Sequence, residues 1–277
     1  MCLARSSPSC GGWRDAACRM ILLWPAITLV AVSFPIGILI GVTGIGGAAL
    51  MTPFLILVLG VRPDLAVGTD LAYSMFTKAT GSWMHWRQGH VDLRLVGKLA
   101  MASLPAAILG TFTMTRLNHI GEGRGAEGDA PLKAVIGIVL LVVAAVSMWR
   151  PQKRPAQWTG SRLTLATLTY AAAAGFLVGL TSIGSGSLIL PLLMIVNRLP
   201  VVRAVGTDIF HAAILVAFSS ALHASIGSVN WEMVPWLLAG SIPGVVLGSR
   251  LAPRLPERTV RLAVLAVLLV SAFKLLF

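Results

Sequence analysis

Long runs of apolar residues, separated by short polar segments, make up most of this chain. A helix rises about 1.5 Å per residue, so roughly 20 residues are needed to cross the hydrocarbon core of a bilayer. Runs of about this length lie near residues 20–42, 66–86, 93–115, 132–149, 162–182, 203–226, 231–252 and 257–276, with shorter ones near 48–60 and 186–197. Because the runs are continuously apolar rather than alternating, they predict an all-α, polytopic transmembrane helical bundle.

The same pattern occurs twice along the chain. GILIGVTGIG at 37–46 returns 138 residues later as GFLVGLTSIG at 175–184, and AVGTD at 66–70 returns as AVGTD at 204–208. From residue 37 to residue 70, 15 of 34 positions are identical to their counterparts. Glycine and proline interrupt both copies at equivalent places, which predicts two homologous repeats with Gly-broken helices. Such repeats are typical of secondary transporters.

The repeats divide the chain into four predicted segments. These are a disordered tail or mis-assigned start at 1–19, a first transmembrane repeat at 20–149, a basic linker at 150–161 and a second transmembrane repeat at 162–277. All three cysteines lie before residue 20, so we expect no structural disulfide and no metal site.

The short apolar runs decide how the two repeats are related. If each run crosses the membrane, every repeat has five spans and the second repeat is inverted relative to the first. If each run only re-enters, there are four spans and the repeats are parallel. The distribution of Lys and Arg favours five spans with the linker in the cytoplasm.

Composition supports an integral membrane protein and excludes a soluble one. Apolar residues make up 56% of the chain, charged residues 12%, and the mean hydropathy is +0.85. The formal net charge of +12 does not indicate nucleic acid as a partner, because the basic residues lie in short loops. Lipid headgroups are the better match, and we expect a multi-pass protein of the cell (inner) membrane.

The glycine motifs are the first candidate site. Glycines that free backbone amides inside a bilayer must be buried in protein or line a polar cavity. Each motif precedes a short apolar run, so its amides and hydroxyls would favour an anion at a helix N-terminus. The predicted substrate-binding residues of the motifs are Thr43, Gly44, Gly46, Gly47, Thr181, Ser182, Gly184, Ser185 and Gly186.

Helix packing is the alternative role for the outer glycines of each motif. Gly37 and Gly41, like Gly175 and Gly179, have the small-xxx-small spacing that lets helices approach closely. A dinucleotide or phosphate loop is excluded, because no strand and no Lys-Ser/Thr pair accompanies the glycines. We therefore expect no cofactor.

Ionisable residues inside the apolar runs are the second candidate site. At about 100° per residue, Asp70, Lys78 and His85 share one stripe of a helix, and Asp208, His211 and His223 fall within about 120° of arc. Val216 stands where the second repeat would match Lys78, so this lysine is a candidate contact for an anion or a partner for Asp70. The alternative is a lysine that extends to the membrane interface.

The remaining candidates are coupling or pore-lining residues: Thr69, Asp70, His85, Thr207, Asp208, His211 and His223. Each Gly-Thr-Asp sequence opens an apolar run, so N-capping is an alternative to proton handling for Asp70 and Asp208. For His85 and His223, the alternative is a structural histidine at a helix end near the membrane interface. Trp83, Trp86, Trp231 and Trp236 are expected to be interfacial anchors.

The glycine motif at 41–47 with Pro53 downstream, the segment at 66–69 and the repetition of both resemble the TauE/SafE sulfite-exporter family of membrane permeases. The resemblance covers nearly all of 21–276. It implies a polytopic transporter of the cell membrane, and it links the chain to sulfite, sulfonates, sulfoacetate and other small organic anions.

The combined interpretation is a secondary transporter that moves a small anion by rocking one repeat against the other, with proton coupling by Asp70 or Asp208. It is not expected to be an enzyme. Two alternatives stay open. One is a proton-coupled cation transporter that uses the aspartates directly, and the other is a membrane enzyme or assembly factor that does not transport.

Overall fold

The computed structural model describes residues 27–40, 42, 48–121, 129–148, 160–184, 186, 188–195, 197, 199–251 and 257–276. In these ranges the regular secondary structure is helical. The helices are α1 (Ile27–Ile40), α2 (Ala48–Leu57), α3 (Pro63–Arg87), α4 (Leu93–Gly121), α5 (Ala130–Met148), α6 (Gly160–Thr181), α7 (Ile189–Ile195), α8 (Val201–Ser225), α9 (Met233–Leu251) and α10 (Glu257–Leu276).

These helices confirm the predicted all-α membrane architecture. Among the described residues, 3 helices are long and apolar enough to cross a bilayer by length and composition, in α4, α6 and α8. Shorter apolar segments lie in α1, α5, α9 and α10. Large apolar side chains are exposed along the outer faces of several helices, as expected where a protein faces lipid instead of water.

The two central helices, α3 and α8, begin earlier than the apolar pattern indicates. α3 starts at Pro63, with Asp64 in its first turn, and α8 starts directly after Pro200. Proline favours such positions because it has no backbone N–H to satisfy and its φ is already helical. Asp70 and Asp208 are therefore each the eighth residue of a helix, and the N-capping interpretation of both is wrong.

Both central helices end in the same way. Gly89 follows α3 with φ of 71°, and Gly227 follows α8 with φ of 73°. A residue with a Cβ rarely adopts this left-handed conformation, so glycine is the preferred stop signal for a helix. The two glycines are 138 residues apart, which is the offset of the sequence repeat.

Close contacts interlock the two halves of the chain. A Cβ on Gly175 of α6 would overlap the backbone of Ser103 in α4, and a Cβ on Gly37 of α1 would overlap the backbone of Ser241 in α9. The offset of 138 relates these two contacts. The packing role is confirmed for Gly37 and Gly175, and for Gly179, whose Cβ would overlap Ala107. Gly41 lies outside the described residues.

This interlocking limits how the protein can move. α4 of the first half packs along α6 of the second, and α1 of the first half contacts α9 of the second. Rocking of one half as a rigid body against the other would break both close helix pairs. The packing therefore favours motion of parts smaller than a whole half.

The central helices α3 and α8 run antiparallel. The N–H of Asn230, after α8, donates to Thr69 Oγ1 near the start of α3 at 3.0 Å. Reciprocally, the N–H of Asp92, after α3, donates to Thr207 Oγ1 near the start of α8 at 3.0 Å. Equivalent helices are antiparallel when a two-fold axis in the membrane plane relates them, so this geometry agrees with five crossings per half and an inverted arrangement.

Candidate functional site

The candidate site lies where α3 and α8 meet in the interior. It combines three charged residues, Asp70, Lys78 and Asp208, with His211. Both aspartates are buried, and Lys78 is half-buried near the middle of α3. Because a charge is expensive inside a bilayer, such a cluster is retained only where its members interact with one another or with a ligand.

Asp70 accepts three hydrogen bonds from hydroxyl groups. Thr52 Oγ1 from α2 donates to Oδ2 at 2.6 Å, and Ser182 Oγ, just after α6, donates to the same oxygen at 2.8 Å. Ser74, one turn along α3, donates to Oδ1 at 3.4 Å. Hydrogen bonds from several donors stabilise a carboxylate that is removed from water. We call Thr52, Ser74 and Ser182 the hydroxyl cage of Asp70.

Ser182 contributes to this cage from an unusual backbone conformation. Its φ is 64°, and it is the non-glycine residue with positive φ among those that the structure describes. A side chain in this region costs free energy, and such outliers concentrate at functional sites. Ser182 belongs to the second glycine motif, so the motif does reach the charged cluster, although through a side chain rather than a free amide.

Lys78 interacts electrostatically with both aspartates. It interacts favourably with Asp208 across the α3–α8 contact and with Asp70 on its own helix, and it also affects His211. These interactions favour Lys78 as a partner of the buried aspartates over a lysine that extends to the membrane interface.

Asp208 has poorer hydrogen bonding than Asp70. Its Oδ1 is buried and accepts no hydrogen bond from the residues that the structure describes. Its Oδ2 faces Gly186, whose φ is 143° and whose Cβ, if present, would lie 3.7 Å from that oxygen. His211, one turn further along α8, has Nε2 at 2.9 Å from Ser103 Oγ of α4. Among the described residues, Lys78 is thus a charged partner of Asp208, and no hydroxyl group donates to its Oδ1.

The predicted anion-binding amides of the second glycine motif are occupied. The N–H of Gly186 donates to the carbonyl of Gly184 at 2.8 Å, and the N–H of Leu188 donates to the same carbonyl at 3.3 Å. Thr181 Oγ1 is also used locally, because it donates to Leu177 O and accepts from Ile183 N. The prediction that this motif presents free amides is wrong for these residues. Ser185 lies outside the described residues, as do Thr43, Gly44, Gly46 and Gly47 of the first motif.

Other predicted site residues lie away from the charged cluster. Thr69 of α3 accepts a hydrogen bond from the turn after α8. Thr207 of α8 accepts a hydrogen bond from the turn after α3. His223 is fully buried, and its Nε2 donates to Gly179 O at 2.8 Å, with Thr111 Oγ1 at 3.3 Å. His223 is thus a buried, hydrogen-bonded histidine in the last turn of α8. The ring of His85 lies 6.1 Å from the ring of His90 at the end of α3.

The exposed tryptophans support membrane anchoring near the helix ends. Trp83 and Trp86 are exposed in the last turns of α3, and Trp231 and Trp236 are exposed at the start of α9. Aromatic rings of this kind favour the headgroup region of a bilayer. His85 lies between the first two, which locates it near the same boundary.

Sequence reasoning missed Thr52, Ser74 and Ser103. Thr52 and Ser74 belong to the hydroxyl cage, and Ser103 contacts His211. A usable signal existed for Thr52 and Ser103, since each is a single hydroxyl residue in an otherwise apolar stretch, whereas Ser74 lies among other polar residues. Hydroxyl residues in membrane helices also bond to their own backbone, however, and the pattern alone does not show which of them contact a carboxylate.

Comparisons with known proteins identify the family of the chain that contains this site. A family model described as Sulfite exporter TauE/SafE matches residues 29–275. The chain belongs to this family. Over 258 residues it is 39% identical to the probable membrane transporter protein YjnA of Bacillus subtilis (strain 168), with 91% of this chain and 100% of the relative covered.

Less similar relatives also align over most of their length. The probable membrane transporter protein YdhB of Bacillus subtilis (strain 168) is 28% identical over 257 residues, covering 90% of this chain and 99% of the relative. A probable membrane transporter protein of Xylella fastidiosa (strain Temecula1) is 29% identical over 222 residues, covering 79% and 82%. No solved structure gives a significant match. The chain is therefore a multi-pass membrane protein of the transporter class.

Proposed function

We propose that this protein is a secondary carrier for a small anion, with sulfite or a short-chain sulfonate as the substrate. The observation that carries the proposal is the location of Lys78, a lysine in the middle of α3 that interacts with buried carboxylates from both halves of the chain. A cation at the contact of two equivalent helices is suited to bind an anion at a site that opens in turn to either side of the membrane.

The substrate class follows from the cluster and from the family. Lys78 supplies the positive charge for an oxyanion, and the hydroxyl groups around Asp70 make the neighbouring surface polar. The family description names sulfite export, which supports sulfur oxyanions as the first substrates to test. Binding by an ammonium group needs no cofactor, and the proposed activity is transport without chemical change.

The interlocked helix pairs form the fixed part of the proposed carrier. α2 and α7 are the short helices, at 10 and 7 residues, and they pack on α3 and α8 respectively. We propose that these short helices move to open the site alternately, because α2 holds Thr52 beside Asp70 and α7 follows Gly186 beside Asp208. This replaces rocking of one entire half against the other.

A flux experiment tests the proposed function. Purified protein in liposomes is expected to show saturable uptake of radiolabelled sulfite, and Lys78→Met is expected to lower it at least about 100-fold, since a charge pairing worth about 3 kcal/mol is lost. Lys98→Met is the matched control, because Lys98 is exposed near the start of α4. Equal flux by both variants would contradict a role for Lys78 in substrate binding.

A second candidate function is proton-coupled cation transport. It is favoured by the excess of carboxylates in the cluster, where Asp70 and Asp208 face the single ammonium of Lys78. Competition distinguishes the two functions. Inhibition of sulfite uptake by other oxyanions supports the anion carrier, whereas uptake of metal cations with no sulfite flux supports the cation carrier.

A further inference from the structure

We propose that Asp208, and not Asp70, is the residue that binds and releases the coupled proton, and that its protonation lets the anion replace it as a partner of Lys78. The inference rests on the proposed function and assigns its coupling step to one of two equivalent aspartates. It depends on a difference between the two halves of the chain.

The donors of the hydroxyl cage are not repeated in the sequence for Asp208. The residues that donate to Asp70 are Thr52, Ser74 and Ser182. At the offset of 138, the matching positions in the sequence hold Leu190, Ala212 and Gly44, and none of these residue types has a side-chain donor. The carboxylate is therefore repeated in the chain, whereas the hydroxyl groups that hold Asp70 are not.

This difference separates the two aspartates chemically. Hydrogen bonds from three hydroxyl donors favour the ionised form of Asp70 and fix its orientation. Asp208 has an oxygen, Oδ1, that accepts no hydrogen bond from the described residues and can take a proton without breaking one. Asp70 is thus a positioning residue that holds α2 and the turn after α6 against α3.

Among the described residues, the charged and titratable groups that interact with Asp208 or its neighbours lie on α3 and α8. α3 contributes Lys78 and Asp70, and α8 itself contributes His211. The contact that α4 makes in this region is through Ser103, which is neutral. Lys78 is thus the cation that responds when Asp208 changes its charge.

Protonation of Asp208 couples the proton to the anion through Lys78. With both aspartates ionised and Lys78 charged, the cluster carries one excess negative charge and repels an anion. A proton taken up from water on Asp208 removes that excess, and the substrate then replaces Asp208 as a charged partner of Lys78 while Asp70 keeps its interaction. A bound monovalent anion then restores the charge of the empty cluster. The proposed stoichiometry is one proton for each monovalent anion, moved in the same direction.

An infrared titration tests the assignment without any substrate. The reconstituted full chain is titrated with acid while the C=O stretch of protonated carboxyl groups is recorded, for the wild type, Asp208→Asn and Glu232→Gln. Glu232 is the control because it is exposed near the start of α9. A band present in the wild type and in Glu232→Gln, and lost in Asp208→Asn, is the expected result. A band that persists in a folded Asp208→Asn protein overturns the assignment.

A flux measurement separates this inference from the proposed function. Asp208→Asn is expected to lose at least 10-fold of the sulfite uptake driven by a proton gradient, whereas the exposed control Glu232→Gln is expected to retain it. Gradient-driven uptake that survives in Asp208→Asn counts against the inference alone. Absence of sulfite flux in the wild type counts against the proposed function, and the infrared result then still decides whether Asp208 titrates.

Discussion

Asp70 and Asp208 occupy equivalent positions in equivalent helices, and the structure surrounds them differently. Asp70 is held by three hydroxyl groups, whereas Asp208 has Lys78 as its charged partner. The backbone around both is alike, down to the turns that end α3 and α8. The comparison teaches that the two halves share their packing and differ in their charges. Equivalent substitutions should therefore have equal effects on packing and unequal effects at the cluster.

The largest equal effect is expected at the interlocking glycines. Leucine at Gly175 or at Gly37 would force apart helices whose backbones are in contact, and each substitution should lower the free energy of unfolding by about 3 kcal/mol. Chemical unfolding in detergent measures both. Gly97→Leu is the control, because no atom lies within 4 Å of a Cβ there. If only one of the two glycines proves sensitive, the packing is not shared.

The two aspartates should differ in their importance for stability. Asp70→Asn removes the carboxylate from three donors and should cost about 2 kcal/mol. Asp208→Asn should cost less than about 1 kcal/mol, because Oδ1 has no described hydrogen bond to lose and Lys78 keeps its interaction with Asp70. The same unfolding assay measures both, and equal losses would remove the contrast between the two sites.

Coupling between Lys78 and Asp208 gives a smaller and more specific effect. In a double-mutant cycle with Lys78→Met and Asp208→Asn, the two changes in unfolding free energy should depart from additivity by about 1 kcal/mol. The residues interact directly, so the second substitution costs less once the first is made. Lys98→Met combined with Asp208→Asn should be additive. Additivity in the Lys78 cycle would show that the two side chains act independently.

The smallest effect, again equal in both halves, is expected at the paired threonines. Thr69→Val and Thr207→Val each remove the acceptor of one backbone N–H, that of Asn230 and that of Asp92. Each should cost about 1 kcal/mol. Hydrogen exchange at the two amides would report the loss directly, with Thr80→Val as a control at an exposed hydroxyl. Protection that is lost at one amide alone would break the symmetry of the packing.

Much of the fold could be predicted from the chain because membrane helices depend on local composition. The run predicted near 203–226 is the helix Val201–Ser225, and the run near 93–115 begins where α4 begins, at Leu93. Helix starts were less predictable. Thr-Asp at 69–70 has the chemistry of an N-cap, but α3 begins at Pro63. Proline suits the first position of a helix because the N–H that it lacks would have no partner within the helix.

The sequence predicted which charged residues belong to the candidate site better than it predicted which residues contact them. Asp70, Lys78 and Asp208 were predicted, because ionisable residues stand out in apolar sequence. The contact of Ser182 with Asp70 joins residues 112 positions apart, and the periodicity of either helix contains no information about it. The freed amides of the glycine motif were an incorrect expectation for Gly186, since a local turn provides the acceptor.

The sequence by itself determined the membrane helices, the repeated motifs and the presence of a lysine in only one of two matching stretches. These are properties of the amino-acid composition and of the order of residues along the chain. They act locally, because a bilayer disfavours unpaired polar backbone groups and charges. The tertiary structure alone decided that the halves interlock and that the three hydroxyl groups converge on Asp70. Those outcomes depend on which distant surfaces approach each other, and contacts between helices are set by packing across the whole bundle.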